Sequence, residues 1–104
     1  MKGYCVVLTT LSNDEDAQKI INILLQYKLA ACIQTAHIGS HYIWNGDVCQ
    51  DQEVLVLIKT TWELFDTLEQ KIREIHPYEI PEIIALDIKK GFKGYLDWID
   101  EITR

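Results

Sequence analysis

Proline is almost missing from this sequence. Two occur in 104 residues, and both fall in one stretch, His76-Pro77-Tyr78-Glu79-Ile80-Pro81-Glu82. Proline fixes its own φ and restricts the residue before it, so this placement marks a rigid connection in a chain otherwise free to run as helix or strand. Cysteine is sparse too: Cys5, Cys32 and Cys49 are the three present, with no CxxC or CxxH spacing. An odd count without ligand spacing argues against a disulfide framework and against a structural zinc site. All three thiols lie in strand-like stretches, where a buried, inert cysteine is the common state. Basic residues are outnumbered ten to sixteen, for a net charge of −6. Such a surface repels phosphate backbones, and no basic stripe with interleaved aromatics offsets it, so no nucleic-acid partner is expected.

Long apolar runs are also lacking. None approaches the ~20 residues of a membrane helix, so no membrane partner is expected. The opening MKGYCVVLTTL has no small-residue cleavage site after it and reads as a first strand, which points to a cytoplasmic protein. Neither GxGxxG nor GxxxxGK occurs, so no phosphate-cradling loop is present. GxSxG is missing as well, and no local motif supports a cysteine nucleophile, so no enzymatic reaction is expected.

What is present reads as one soluble domain over residues 1–104, with 48% hydrophobic and 25% charged residues. Residues 4–10, YCVVLTT, form a β-branched run expected to be a buried strand. Ser12 and Glu15 have the spacing of a capping box, and Ala17, Ile20, Ile21, Leu24 and Leu25 follow on one helical face. Asn45-Gly46 then separates two strand-like runs, the strongest short-range sign of a hairpin, because a type I′ turn needs positive φ at both positions. The arms far exceed the usual ~5–6 residues of a strand, and Gly39 is expected to bend or bulge the first of them. Thr60 and Glu63 suggest a second capping box, opening a helix with Leu64, Phe65, Leu68, Ile72 and Ile75 on one face. That helix must stop near His76. Residues 82–88, EIIALDI, are the last strand, and Leu96, Trp98, Ile99 and Ile102 have the spacing of a short helix. The order βαββαβ with an extra C-terminal helix predicts an α+β, ferredoxin-like fold with a long β2–β3 hairpin. Edge strands of that length need a partner, so a homo-oligomer is expected.

Two places could carry metal chemistry. His37 and His41, four apart on a strand, nominally share a face. With a two-residue turn, however, Trp44 faces Asp47, Tyr42 faces Cys49 and His41 faces Gln50. The thiol then lies away from His41, and a bulge at Gly39 would change the face of His37, so ordinary surface histidines are the default. The second place is the proline stretch. His76 can simply close a helix, where an imidazole favours the negative dipole end. Alternatively, imidazole with Glu79 and Glu82 suits copper or zinc, as a weak site or one shared across subunits. Spacing leaves both open.

The blocks VVLTT, LAACIQ, YIWNGDV with QEVLVLIKTT, HPYEIPEIIALDI and GYLDWI run in order over nearly the whole chain. They resemble the CutA divalent-cation-tolerance family, on the strength of LAAC, the Trp-x-Gly turn, KTT and HPYxxPE. The resemblance implies a homotrimer whose hairpins pair between neighbours, with architectural kinship to PII signalling proteins. It also implies copper(II) or another divalent cation, weakly bound. The family's copper set, a cysteine ending the first strand and a histidine pair before Pro-Tyr, is incomplete in this chain. Thr9 and Ile75 stand in two of those places, leaving His76, with Glu82 as a neighbouring carboxylate. An inter-subunit cleft lined by Trp44, Lys59 and Tyr78 is further implied. The leading expectation is therefore a cytoplasmic homotrimer for divalent-metal tolerance. The alternative is a PII-like sensor or scaffold taking a small anion or a partner protein in that cleft. A thiol enzyme using Cys32 or Cys49 is a third.

Overall fold

In the computed structural model, which describes residues 2–104, the elements follow the expected order. They are β1 (Tyr4–Leu11), α1 (Asp14–Gln26), β2 (Cys32–Trp44), β3 (Asp47–Thr61), a single 3₁₀ turn (Trp62–Leu64), α2 (Phe65–Ile75), β4 (Ile84–Ile88) and α3 (Lys93–Ile102). One sheet runs in the order β2-β3-β1-β4, and every neighbouring pair is antiparallel. This is the split βαβ arrangement of a ferredoxin-like α+β fold.

The core follows from strand alternation. Cys5, Val7 and Thr9 of β1, with Val54, Val56 and Ile58 of β3, turn to one face and are buried there. Ala17, Ile20 and Leu24 of α1, with Leu68 and Ile72 of α2, close over them at helical spacing. Fully burying such an aliphatic side chain stabilises the fold by about 1.5–3 kcal/mol.

Both helix starts differ from expectation. Asn13, not Ser12, caps α1: its Oδ1 accepts from the Asp16 amide at 2.8 Å, while the Ser12 hydroxyl lies 2.9 Å from the Tyr78 hydroxyl. Asp14, Glu15 and Asp16 then complement the positive dipole end. Thr60 caps nothing. It is buried in β3, and its Oγ1 donates to the Leu29 carbonyl at 2.7 Å, so the chain turns through Trp62–Leu64 before α2 begins.

The hairpin turns at Asn45 (φ 51) and Gly46 (φ 82), as a type I′ turn requires. Its register is unbroken from Trp44↔Asp47 to Cys32↔Lys59, and Gly39 sits squarely opposite Gln52. The expected bulge is therefore not there, and His37 and His41 keep the same strand parity. β1 ends opposite Val54, so Asp47–Glu53 pair with β2 alone. At ~3.4 Å per residue this is a two-stranded ribbon reaching roughly 24 Å past the sheet. Its length explains the 44 Å long axis of the chain.

On the sheet face away from α1 and α2, α3 covers one end. Tyr4 hydrogen-bonds Asp100 there, and the Lys59 ammonium lies 5.9 Å from the Tyr95 ring centroid. Beyond that end the face is apolar, with Val6, Leu8, Leu57, Ile84 and Leu86 aligned by register.

Candidate functional site

The stretch with both prolines is the link from α2 to β4, and its shape begins at His76. The backbone of His76 still accepts helical geometry on its amide, which donates to Ile72 O at 2.8 Å. Its ψ of 131 is extended, as the following proline demands. The chain leaves the helix there and the imidazole turns inward. Nδ1 accepts the Tyr78 amide at 3.1 Å, which leaves the ring proton on Nε2, donated to the Thr10 carbonyl at 2.9 Å. The Tyr78 ring stands edge-on to the imidazole, with centroids 4.8 Å apart. Burial holds the His76 pKa below the usual histidine value, against weaker opposing effects of the Thr10 carbonyl, Asp16 and Glu53.

Tyr78 is thereby delivered to the base of the ribbon. Its hydroxyl donates to Glu53 Oε2 at 2.7 Å and so accepts from Ser12 at 2.9 Å. Burial raises its pKa, the Ser12 bond opposes this, and Glu53 adds to it. Further out on the ribbon, Tyr42 donates to Asp51, and that bond is the main reason its pKa is pushed up to about 12. Both phenols therefore stay protonated donors at neutral pH.

Between the ribbon and residues 78–82 lies a cavity of about 620 Å³. Ser40, His41, Tyr42, Trp44, Asp51 and Glu53 line it from the hairpin, Thr10 and Ser12 from the end of β1, and Tyr78, Glu79, Ile80 and Glu82 from the connection. Four of these are carboxylates. No lysine or arginine lines the cavity, and among the described residues none of the four is in an ion pair.

Of the expected site residues, Trp44, Tyr78 and Glu82 meet in this cavity. His76 sits behind it, with both ring nitrogens hydrogen-bonded within the chain, so a metal could reach it only by displacing Thr10 or Tyr78. Lys59 is elsewhere: it pairs with Cys32 and Val6 at the far end of β3 and donates to Gln34. Within one chain the three cleft residues are not brought together. Thr9 is fully buried and its Oγ1 has no partner, while Ile75 packs half-buried against the core. Among the described residues, no three of His, Cys, Asp and Glu are grouped so as to hold a metal ion. His37 lies 2.9 Å from Asp14 rather than beside His41. The cysteines are all free; Cys49 faces the Asp47 carbonyl and has no histidine among its hydrogen-bond partners.

Sequence reading missed Asp51 and Glu53. The signal was available, because the register that sets Trp44 opposite Asp47 puts residues 47, 49, 51 and 53 on the Trp44 face.

The fold and cavity together define a small ferredoxin-like α+β protein with an acidic, aromatic cleft at the root of its hairpin. Its relatives give the family. Residues 5–102 match the family model described as CutA1 divalent ion tolerance protein, and the chain belongs to that family. It is 43% identical over 99 residues to the divalent-cation tolerance protein CutA of Thermus thermophilus, covering 94% of this chain and 96% of that one. Identity to the protein of that name in Pyrococcus horikoshii is 35%, covering 95% and 97%. Among solved structures, the Archaeoglobus fulgidus protein described as periplasmic divalent cation tolerance protein CutA superposes with a TM-score of 0.95. Its identity is 34%, and 97% of this chain and 99% of that one are covered. These names describe cation tolerance and name no reaction. Among the described residues no helix is long and apolar enough to cross a membrane.

Proposed function

We propose that the protein is a homotrimer that binds divalent cations weakly, copper(II) among them, in the cleft at the hairpin root, without catalysing a reaction. One observation carries this: the cavity gathers Asp51, Glu53, Glu79 and Glu82 with no cationic side chain to neutralise them. Carboxylate oxygens suit hard divalent ions, while the His41 imidazole turns with Gln50 to the opposite face of the ribbon and adds no ligand. The donors fit a loosely held ion. They do not fit a closed site, since Asp51 and Glu53 are each tied to a tyrosine and no triad converges. Glu79 and Glu82 are the proposed donors, and His76 serves by fixing the connection that carries them.

Trimerisation is supported by the unpaired ribbon, which would be marginal alone in water, and by the apolar sheet face. The free thiols of Cys5, Cys32 and Cys49 suit a reducing, cytoplasmic compartment. A small anion is disfavoured as ligand of this cavity, because its four carboxylates would repel it and, within one chain, Lys59 lies at the far end of β3.

The test is copper(II) titration by calorimetry with electron paramagnetic resonance on the wild type, Glu79→Gln/Glu82→Gln and His76→Gln. Saturable binding lost in the glutamate variant and retained in His76→Gln is expected. Equal binding by all three, or none by any, would overturn the assignment of the site.

A further inference from the structure

The same cavity has features a bare ion does not need. Its volume of about 620 Å³ falls within the ~300–1,000 Å³ of small-molecule sites. Its acids are dispersed, with no three ligating groups together among the described residues. Three aromatic side chains, Tyr42, Trp44 and Tyr78, share the lining. Aromatic faces attract organic cations through the ring quadrupole and also cover methylene groups, whereas a hydrated metal ion gains little from them.

The carboxylates are arranged in two sets. Asp51 and Glu53 belong to the ribbon, Glu79 and Glu82 to the connection. Tyr42 and Tyr78 each hold one oxygen of a ribbon carboxylate, Asp51 Oδ2 and Glu53 Oε2, and leave the other free to accept a bond. Tyr78, which comes from the connection and bonds Glu53 on the ribbon, puts an aromatic ring between the two sets, and a short aliphatic chain with an ammonium at each end suits acceptors in that arrangement.

We propose that the cavity takes a small alkyl diamine, its ammonium ends shared between the ribbon pair and the connection pair and its methylenes against Trp44 and the tyrosines. This rests on the reading that the cavity is the functional cation site, and it names an organic cation as a further ligand there. Acidity alone would not select such a molecule. The surface of α2 offers a comparison: Asp66, Glu69 and Glu74 cluster there around Arg73 without an aromatic wall.

The experiment is calorimetric titration of 1,4-diaminobutane into the full chain at about 0.15 M salt, where weak surface attraction is screened. Copper(II) is titrated in parallel. Saturable diamine binding is expected, weakened on the order of tenfold in Trp44→Ala, a loss of the size of a desolvated cation–π contact. Glu79→Gln/Glu82→Gln should weaken it at least as much, while Glu69→Gln/Glu74→Gln should leave it unchanged. Diamine binding that is absent, or equal in all variants, would overturn the proposal. If copper(II) still binds through Glu79 and Glu82 in that case, the cavity remains a cation site and the diamine alone is lost. If neither ligand binds, both readings fall.

Discussion

The Nε2–H of His76 donates to the carbonyl of Thr10 at 2.9 Å, tying the residue after α2 to the strand at the opposite end of the chain's order. Because Nδ1 already accepts the Tyr78 amide, the ring is neutral and both nitrogens are used. One imidazole thus sets the direction of the connection and the position of Tyr78 in the cavity. Pro77 and Pro81 keep the intervening backbone from relaxing away from that geometry.

This pairing makes stability depend on pH in a defined sense. The native pKa of His76 lies below its ordinary 6.5, mainly through burial. Between those two values the unfolded chain binds more protons than the native one, so stability rises with pH. The contribution is complete above about 6.5 and is lost as pH falls through that value toward the lowered native pKa. A second proton would also set Nδ1–H against the Tyr78 N–H, two donors face to face. Urea midpoints measured from about pH 7.5 to about pH 5 should fall more steeply for the wild type than for His76→Gln, whose amide can serve both partners without titrating. Parallel curves would remove His76 as the cause.

Two threonines of the sheet should respond in opposite ways to the same substitution. Thr60 is buried and its hydroxyl donates to the Leu29 carbonyl, so Thr60→Val should cost about 1–2 kcal/mol by stranding that acceptor. Thr9 is equally buried, but its Oγ1 has no partner. Thr9→Val, which keeps the shape and removes an unsatisfied group, should be neutral or stabilising by about 1 kcal/mol. Thermal or urea denaturation of the two variants checks the contrast. Comparable losses in both would mean that the Thr9 hydroxyl is satisfied in solution.

The contact between Tyr78 and Glu53 is predicted to be the link that joins the connection to the ribbon. Tyr78→Phe removes the bond to the carboxylate and the bond from Ser12 together. A double-mutant cycle with Glu53→Gln should give a coupling of about 1 kcal/mol, of the size expected for a hydrogen bond to a charged acceptor that is partly exposed. Zero coupling would mean that the two side chains part in solution.

The element order was legible in the sequence because periodicity and turn chemistry agree along most of the chain. Asn45-Gly46 fixed the register, and the register in turn fixed which residues face each other across thirteen strand positions. The helix starts were not legible. Ser12 and Asn13 are both good caps, and only the hydrogen bond between Ser12 and Tyr78, more than sixty residues away in sequence, decides between them. Thr60 matched a capping pattern but is held by Leu29, again a tertiary partner. Of the residues lining the cavity within one chain, Trp44, Tyr78 and Glu82 were singled out in the sequence, whereas Asp51 and Glu53 required reading the hairpin register out to the Trp44 face. His76 was singled out for the right stretch, but spacing could not show that its nitrogens face inward.

The last prediction concerns the face that α1 and α2 leave open. Register sets Leu8 between Leu57 and Ile84, and Val6 beside Leu86, so these side chains form one apolar surface across β3, β1 and β4. Leu86 is 54% exposed and Ile84 47% exposed in the single chain. Exposing such neighbours together is unfavourable by roughly 25 cal/mol per Å² of apolar area that a partner could cover. The ribbon adds a second demand, since Asp47–Glu53 and their β2 partners have no third strand. A trimer would meet both needs. Leu86→Glu places a charge on that surface without touching the core beneath α1 and α2, so the chain should keep its fold while its association fails. Light scattering at micromolar concentration should therefore report a trimer for the wild type and a smaller species for Leu86→Glu, with unchanged far-ultraviolet circular dichroism. A wild-type monomer would refute trimerisation outright. A variant that stays trimeric would move the interface off this face and leave the ribbon as the element that assembles the protein.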